Sequence, residues 1–272
     1  MNKQLTATFW VVVVFAGLFG AWLAAAAWFH PGYRVDAQGA PVLDDENKPV
    51  TRGAVLLPGP WTVLREWYEL FEHQDFLADV GQSVKRITLG LLAAIVPAFF
   101  LGIWFGVKPR VRSAVTPVFA FIQYIPPVAF VPILILWLGI GLPQQVALLF
   151  IGTFFYLTVM VAETVANTPP TYHDAALTLG ARPYQLIWNV IVPHGMPDFI
   201  QHLRVMVGIG WTYLTAVEMV SAENGIGKVI ITSQRYLQTG RVLAGLVTIG
   251  VLGIVFDLAL RGTARLLCRW KY

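Results

Sequence analysis

Charge is scarce in this chain. Asp, Glu, Lys and Arg together make up 12% of its 272 residues, where soluble domains carry roughly 25%. That shortage excludes an ordinary water-facing surface and points to one facing a bilayer. A soluble protein with a very large core would instead show short apolar runs, and several runs here reach about twenty residues. Cysteine is nearly absent as well: Cys268 stands alone, which excludes an intrachain disulfide. Its place in a basic tail suits a reduced, cytoplasmic setting. The five histidines, at 30, 73, 173, 194 and 202, form no i,i+4 pair and have no cysteine nearby, so no metal site is expected. No Ser/His/Asp set or paired carboxylate gathers into one site, and catalysis finds no support. A phosphate-binding loop is missing too. Gly225-Ile226-Gly227-Lys228-Val229 lacks the preceding glycine and the following Ser/Thr and reads as a turn. No cofactor is expected. Nor do the basic residues form a nucleic-acid patch: Arg261, Arg265, Arg269 and Lys271 sit in the tail, and Lys108, Arg110 and Arg112 in one short loop. Clusters flanking apolar segments are membrane-side anchors.

What the chain does have is apolar length. Its mean hydropathy is +0.64, and six spans are predicted at about 7–28, 84–107, 114–138, 145–166, 196–221 and 242–264. Backbone groups in lipid must be satisfied within each span, which makes helices the expectation throughout. The runs are continuously apolar rather than alternating, which argues against strands. The first run, residues 6–29, reaches about 36 Å as a helix and is too long for a signal core of roughly 7–15 residues. It reads as an uncleaved helix.

The expected fold is therefore an all-α integral membrane protein with six transmembrane helices. Its parts are an N-terminal helix (1–29), an external loop (30–83), and a five-helix core (84–272) that includes a polar loop at 167–195. The external loop carries Pro-Gly, Gln-Gly and the run Asp44-Asp45-Glu46-Asn47-Lys48, signs of a solvated segment. Its second half, Pro60–Phe71, places Trp61, Leu64, Trp67, Tyr68 and Phe71 at helical spacing. That suits a helix lying along the membrane interface; a small extramembrane cap is the other reading. Among the short connections, 108–113 holds three basic residues and 139–144 none, which places both termini on the cytoplasmic side. No internal repeat and no low-complexity linker is evident.

Two segments stand out. Pro126, Pro127 and Pro132 all fall within the third span and free the carbonyls of Ile122, Gln123 and Val128. Such a break is tolerated where neighbouring groups or a water-lined cavity receive those carbonyls. Between the fourth and fifth spans, Thr171-Tyr172-His173-Asp174 has the form of a capping box. A short helix should follow and close at Gly180 in left-handed geometry. Pro183 then opens a second helix, expected to end at Pro193. The result is a helix–Gly–helix bracket whose exposed apolar residues need a partner.

Asp174-Ala175-Ala176, three residues, Gly180, nine residues and Val190-Ile191-Val192-Pro193 resemble the EAA signature of ATP-binding-cassette importer permeases. Asp replaces Glu, and Val replaces Ile and Leu, with both gaps kept. Leu57-Pro58-Gly59-Pro60, the stretch from Tyr124 to Pro132, and Gly208-Ile209-Gly210-Trp211 through Glu218-Met219 resemble the nitrate/taurine/alkanesulfonate/bicarbonate group of that family. The resemblance implies a type I importer fold with a cytoplasmic coupling helix, in the bacterial inner membrane. The partners it implies are two ATPase subunits, a second permease copy, and a periplasmic or lipid-anchored solute-binding protein. ATPase coupling would fall to Thr171, Asp174, Ala175, Ala176, Gly180 and Pro193. ATP chemistry would belong to another chain.

Candidate pathway residues are Gln123, Tyr124, Pro126 and Pro127 beside the break, and Trp211, Thr212, Thr215 and Glu218 in the fifth span. Helix packing is the competing account for each. Glu218 either lines the pathway or pairs structurally near the outer face, because a lone charge in lipid costs roughly 2.5–3.5 kcal/mol or more. Glu163 is expected to snorkel or meet the ATPase, and Arg204 to act as a structural or gating cation. The expected solute is a small anion such as nitrate, a sulfonate or bicarbonate. Cyanate, a thiamine-precursor pyrimidine or a urea- or guanidine-like compound are alternatives within the family. An ion-coupled secondary transporter is the alternative outside it, and that reading leaves the bracket unexplained.

Overall fold

The computed structural model describes residues 3–28, 43, 57–73, 75–221 and 223–270. The acidic run of the external loop and Lys271 lie outside the described residues. The described residues are helices, turns and short connections, with an isolated bridge residue at Leu43 and no β-strand. They fall into two compact units, one of residues 1–77 and 229–248, the other of 78–228 and 249–272.

In the first unit, α1 runs Lys3–Trp28 and α2 Pro60–His73. Pro58 supplies a carbonyl to the indole N–H of Trp22 at 3.2 Å. The aromatic residues of α2, expected on a single apolar face, divide between two. Trp61, Leu64 and Tyr68 are exposed, whereas Val63 and Leu70 are buried. Trp67 turns inward and donates to the Thr248 hydroxyl at 2.9 Å, because an indole N–H shielded from water needs an acceptor. Glu66 pairs with Arg241 at 2.8 Å. The unit also holds most of α10, Ile226–Arg235, and the start of α11, Thr239–Leu267.

The second unit is built on long apolar helices. Helix α3, Phe76–Val107, has 32 residues and is about 48 Å long, more than a hydrocarbon layer of about 30 Å requires. Helix α6 is Leu142–Ala166. The two meet along glycines. A Cβ on Gly102 would lie 2.6 Å from the Val161 Cβ and 2.9 Å from the Thr158 carbonyl. One on Gly106 would lie 2.5 Å from the Val165 Cβ and 2.8 Å from the Ala162 carbonyl. Gly102 and Gly106 are four apart, the small-residue spacing that lets membrane helices approach backbone to backbone. Thr153 and Thr158, buried in α6, satisfy their hydroxyls on the carbonyls of Leu149 and Phe154 at 2.7 Å.

Among the described residues four helices are long and apolar enough to cross a bilayer: Phe76–Val107, Leu142–Ala166, Pro183–Ser221 and Thr239–Leu267. The expected third span is not one rod. It divides into α4, Pro109–Gln123, a 3₁₀ turn over Pro127–Phe130, and α5, Val131–Leu138, bent by 76°. Counting that pair as one crossing gives five. The expected first crossing falls on α1, whose apolar stretch is Val12–Trp28. The bend follows from consecutive prolines: Pro126 and Pro127 carry no N–H, and their rings exclude the preceding turn.

The glycine seam yields a test. Gly106→Val should lower the melting temperature of the purified chain, because overpacking against a fixed carbonyl costs about 1–3 kcal/mol. Gly208→Ala, with nothing within 4 Å of the added carbon, should leave it unchanged. Equal melting temperatures for both variants would contradict the seam.

Candidate functional site

The bracket is assembled from local chain chemistry. Helix α7 runs Pro170–Thr178. The expected capping box does not form: Thr171 lies inside the first turn, Pro169 is the N-cap, and no side chain caps the end. Two prolines remove the need, since Pro170 has no N–H to satisfy. At the other end Gly180 takes φ +78°. The amide of Gly180 donates to Leu177 O at 2.9 Å and that of Ala181 to Ala176 O at 3.0 Å. This paired closure is the Schellman arrangement. Asp174 and Ala175 are exposed on the helix, and Ala176 is buried beneath it. Leu177, Tyr172 and Tyr184 are exposed, and Leu179 is 87% exposed.

The second arm starts at Pro183, where Gln185 Oε1 accepts the Arg182 amide at 2.8 Å. Pro193 does not end it. Helix α8, Pro183–Leu186, passes through a π turn at Ile187–Ile191 into α9, Val192–Ser221. The wider turn accommodates the proline ring, so the helix continues where an α turn would have broken. Tyr172 packs on His194 with ring centres 5.0 Å apart, joining the two arms. Glu163 is exposed in the last turn of α6. Its neighbour Thr164 bonds His202 of α9 at 2.8 Å, a link that sequence alone did not suggest.

All three carbonyls freed by the proline break are satisfied. Ile122 O accepts the Ile125 amide at 3.1 Å, Val128 O accepts the Val131 amide, and Gln123 O accepts the Tyr156 hydroxyl at 3.0 Å. The Gln123 amide reaches on to Phe155 O at 3.1 Å. Tyr156 is the partner that sequence reading missed. Tyr124 stands 86% exposed at the bend and Pro127 is buried, while Pro126 is exposed. Trp211 is only 4% exposed and meets Phe256 edge-on at 5.9 Å. Thr215 bonds back to Trp211 O at 2.8 Å. Thr212 faces outward, exposed.

Glu218, 1% exposed, is the centre of a buried clasp. Its carboxylate accepts the Ser83 hydroxyl at 2.8 Å, Arg86 Nη1 at 2.8 Å and the Gly227 amide at 2.9 Å. Arg86 also donates to the carbonyl and the side chain of Asn224. Asp79 accepts the Gly225 amide at 2.6 Å and Ser83 the Ile226 amide at 3.0 Å. The Gly225–Gly227 turn needs its glycines: Gly225 has φ +108°, and a Cβ there would lie 2.6 Å from Glu218 Oε1. Bare backbone lets three successive amides reach acidic and hydroxyl oxygens. Of the eight named pathway residues, Tyr124, Pro126 and Thr212 are open, Pro127, Trp211 and Glu218 are enclosed, and Gln123 and Thr215 lie between. Among the described residues no His/Cys/Asp/Glu group could hold a metal ion.

The chain is similar to known proteins. The taurine transport system permease protein TauC of Escherichia coli (strain K12) is 30% identical over 221 residues, covering 79% of this chain and 80% of that protein. The formylaminopyrimidine transport permease protein ThiX of Halalkalibacterium halodurans is 28% identical over 216 residues, covering 79% and 86%. In fold the chain resembles a subunit of the MetNI methionine ABC transporter in an inward-facing conformation. The TM-score is 0.56 at 17% identity, over 77% of this chain and 95% of that one. Residues 88–266 match the family described as binding-protein-dependent transport system inner membrane component. The chain belongs to that family: it is a permease subunit of an ABC importer, a transport component rather than an enzyme.

Proposed function

We propose that this permease subunit carries a small sulfonate such as taurine into the cell, as one of two identical chains. Two ATPase subunits seat on the bracket and a solute-binding protein docks at the opposite face. The observation that carries the reading is the bracket itself: a nine-residue helix, closed by a left-handed glycine and held between two apolar spans, with a tip of exposed Leu177, Leu179, Tyr172 and Tyr184. Exposed apolar side chains gathered on one short polar loop suit a contact with another protein. Asp174, Ala175, Ala176 and Gly180 form the seat, Thr171 opens it, and Pro193 lies where the second arm enters the span. With the bracket in the cytosol, the basic 108–113 loop and both termini share its side. Helix α1, 26 residues and about 39 Å long, then serves as the sixth crossing. Alternating access proceeds by rocking of α9, moved by the bracket, around the broken α4–α5 pair. Tyr124, Thr212 and Gln123 are the side chains placed to meet solute, with Pro126 and Pro127 shaping the bend and Thr215 and Trp211 beside it. The sulfonate class follows TauC; a formylaminopyrimidine, after ThiX, is the competing solute.

Three measurements test this. Gly180→Val forces a β-branched residue into left-handed geometry, which costs roughly 1–2 kcal/mol or more. The variant should insert normally yet lose uptake at least tenfold, with ATPase activity no longer responding to loaded binding protein. Gly180→Asn should keep most of the uptake, since Asn tolerates that geometry. Full coupling in the valine variant would refute the seat.

The clasp gives the second. Glu218→Ala or Arg86→Ala leaves one buried charge uncompensated, at about 3–5 kcal/mol. Each single variant should melt lower than Glu218→Met combined with Arg86→Met. A Glu218 whose role is solute contact alone would instead lose uptake with no change in melting. Third, taurine should raise the melting temperature of the cognate binding protein and formylaminopyrimidine should not; the reverse result assigns the other solute.

A further inference from the structure

Toward the basic end of α11, a cavity of about 320 Å³ opens between α9 and α11. Its wall carries three guanidinium groups, Arg204, Arg261 and Arg265. Asp257 binds two of them through their Nε atoms, Arg204 at 2.5 Å and Arg261 at 2.7 Å. That bridge uses up the carboxylate and leaves the terminal nitrogens of Arg261, and all of Arg265, without a protein acceptor among the described residues. Three cations against one anion leave a net charge of about +2 in a confined space, with planar donor forks suited to a phosphate or sulfonate oxygen set.

A second, separate feature lies one residue along each helix. Leu203 and Leu260, next to Arg204 and Arg261, line an apolar cavity of about 150 Å³ together with Leu91, Leu92, Val207 and Phe256. Thr88 also lines it, with its hydroxyl turned back onto the Val84 carbonyl at 2.7 Å. Leu92, which lines it, and Val96 and Phe100, four and eight residues on along α3, are exposed apolar side chains. In a membrane protein this face meets acyl chains rather than water. A free inorganic anion would use the arginines and leave the apolar cavity without a role. A phospholipid uses both.

We propose that α9 and α11 bind an anionic phospholipid, its phosphate held by Arg204, Arg261 and Arg265 and one acyl chain lying in the cavity lined by Leu203, Val207, Phe256 and Leu260. The site is at the cytoplasmic end of α11. There, arginines near a helix end extend to the headgroup layer, and basic pockets between spanning helices take acidic headgroups. The arginines need not contact the transported solute.

The test uses the purified full-length chain in detergent, with its melting temperature read against added probes. Phosphatidylglycerol should raise the melting temperature of the wild type, and phosphatidylcholine should not, because only a ligand that prefers the folded state stabilises it. The Arg261→Gln/Arg265→Gln variant should lose at least roughly half of that rise. Leu92→Trp, at a residue 53% exposed, fills the apolar cavity without touching an arginine and should lose a similar share. Native mass spectrometry should show one fewer phospholipid retained per chain in both variants. An equal rise with inorganic phosphate or methanesulfonate would overturn the lipid assignment in favour of a free-anion site. An undiminished response in both variants would overturn the site itself.

Discussion

Hydrocarbon offers no hydrogen bonds, and every departure from a straight apolar helix in this protein is bounded by that fact. The bend after Gln123 is possible because Tyr156 donates to the carbonyl that proline orphans. The carboxylate of Glu218 is possible because Ser83, Arg86 and the Gly227 amide converge on it. Hydroxyls in α6 fold back on their own helix. Remove the internal partner and the irregular feature becomes untenable at membrane depth.

The same constraint decides which features were legible in the sequence. Continuous apolar runs reveal spans directly, since nothing but burial in lipid or protein produces them, and the all-helical fold follows. Gly180 was legible because a left-handed closure has a narrow residue preference and its partners, Leu177 and Ala176, are local. The freed carbonyls beside Pro126 and Pro127 were legible as a need; their donors were only partly so. Ile125 and Val131 are neighbours in sequence, whereas Tyr156 is 33 residues away, and no local pattern points to it.

Where the reading failed, a local rule met a competing one. Thr171 has the right residue type for a cap, but Pro169 and Pro170 set the helix start before it. Pro193 normally halts a helix, and the π turn at Ile187–Ile191 admits it instead. The partner of Glu218 could have been inferred: Arg86, near the start of the predicted 84–107 span, is an intramembrane cation in want of an acid. The seam of Gly102 and Gly106 has a recognisable four-residue spacing, yet only the facing Val161 and Val165 show that it is a contact.

The π turn has a mechanical consequence. Because the chain stays helical through Pro193 and Pro197, residues 183–221 form one continuous helix of 39 residues, about 58 Å along its axis. One tip of that helix is the bracket arm and the other carries Glu218. The bracket arm and the carboxylate that grips the Gly225–Gly227 turn are thus carried on the same helix. Under the coupling proposed above, opening at one membrane face and loosening at the other become two ends of a single lever stroke.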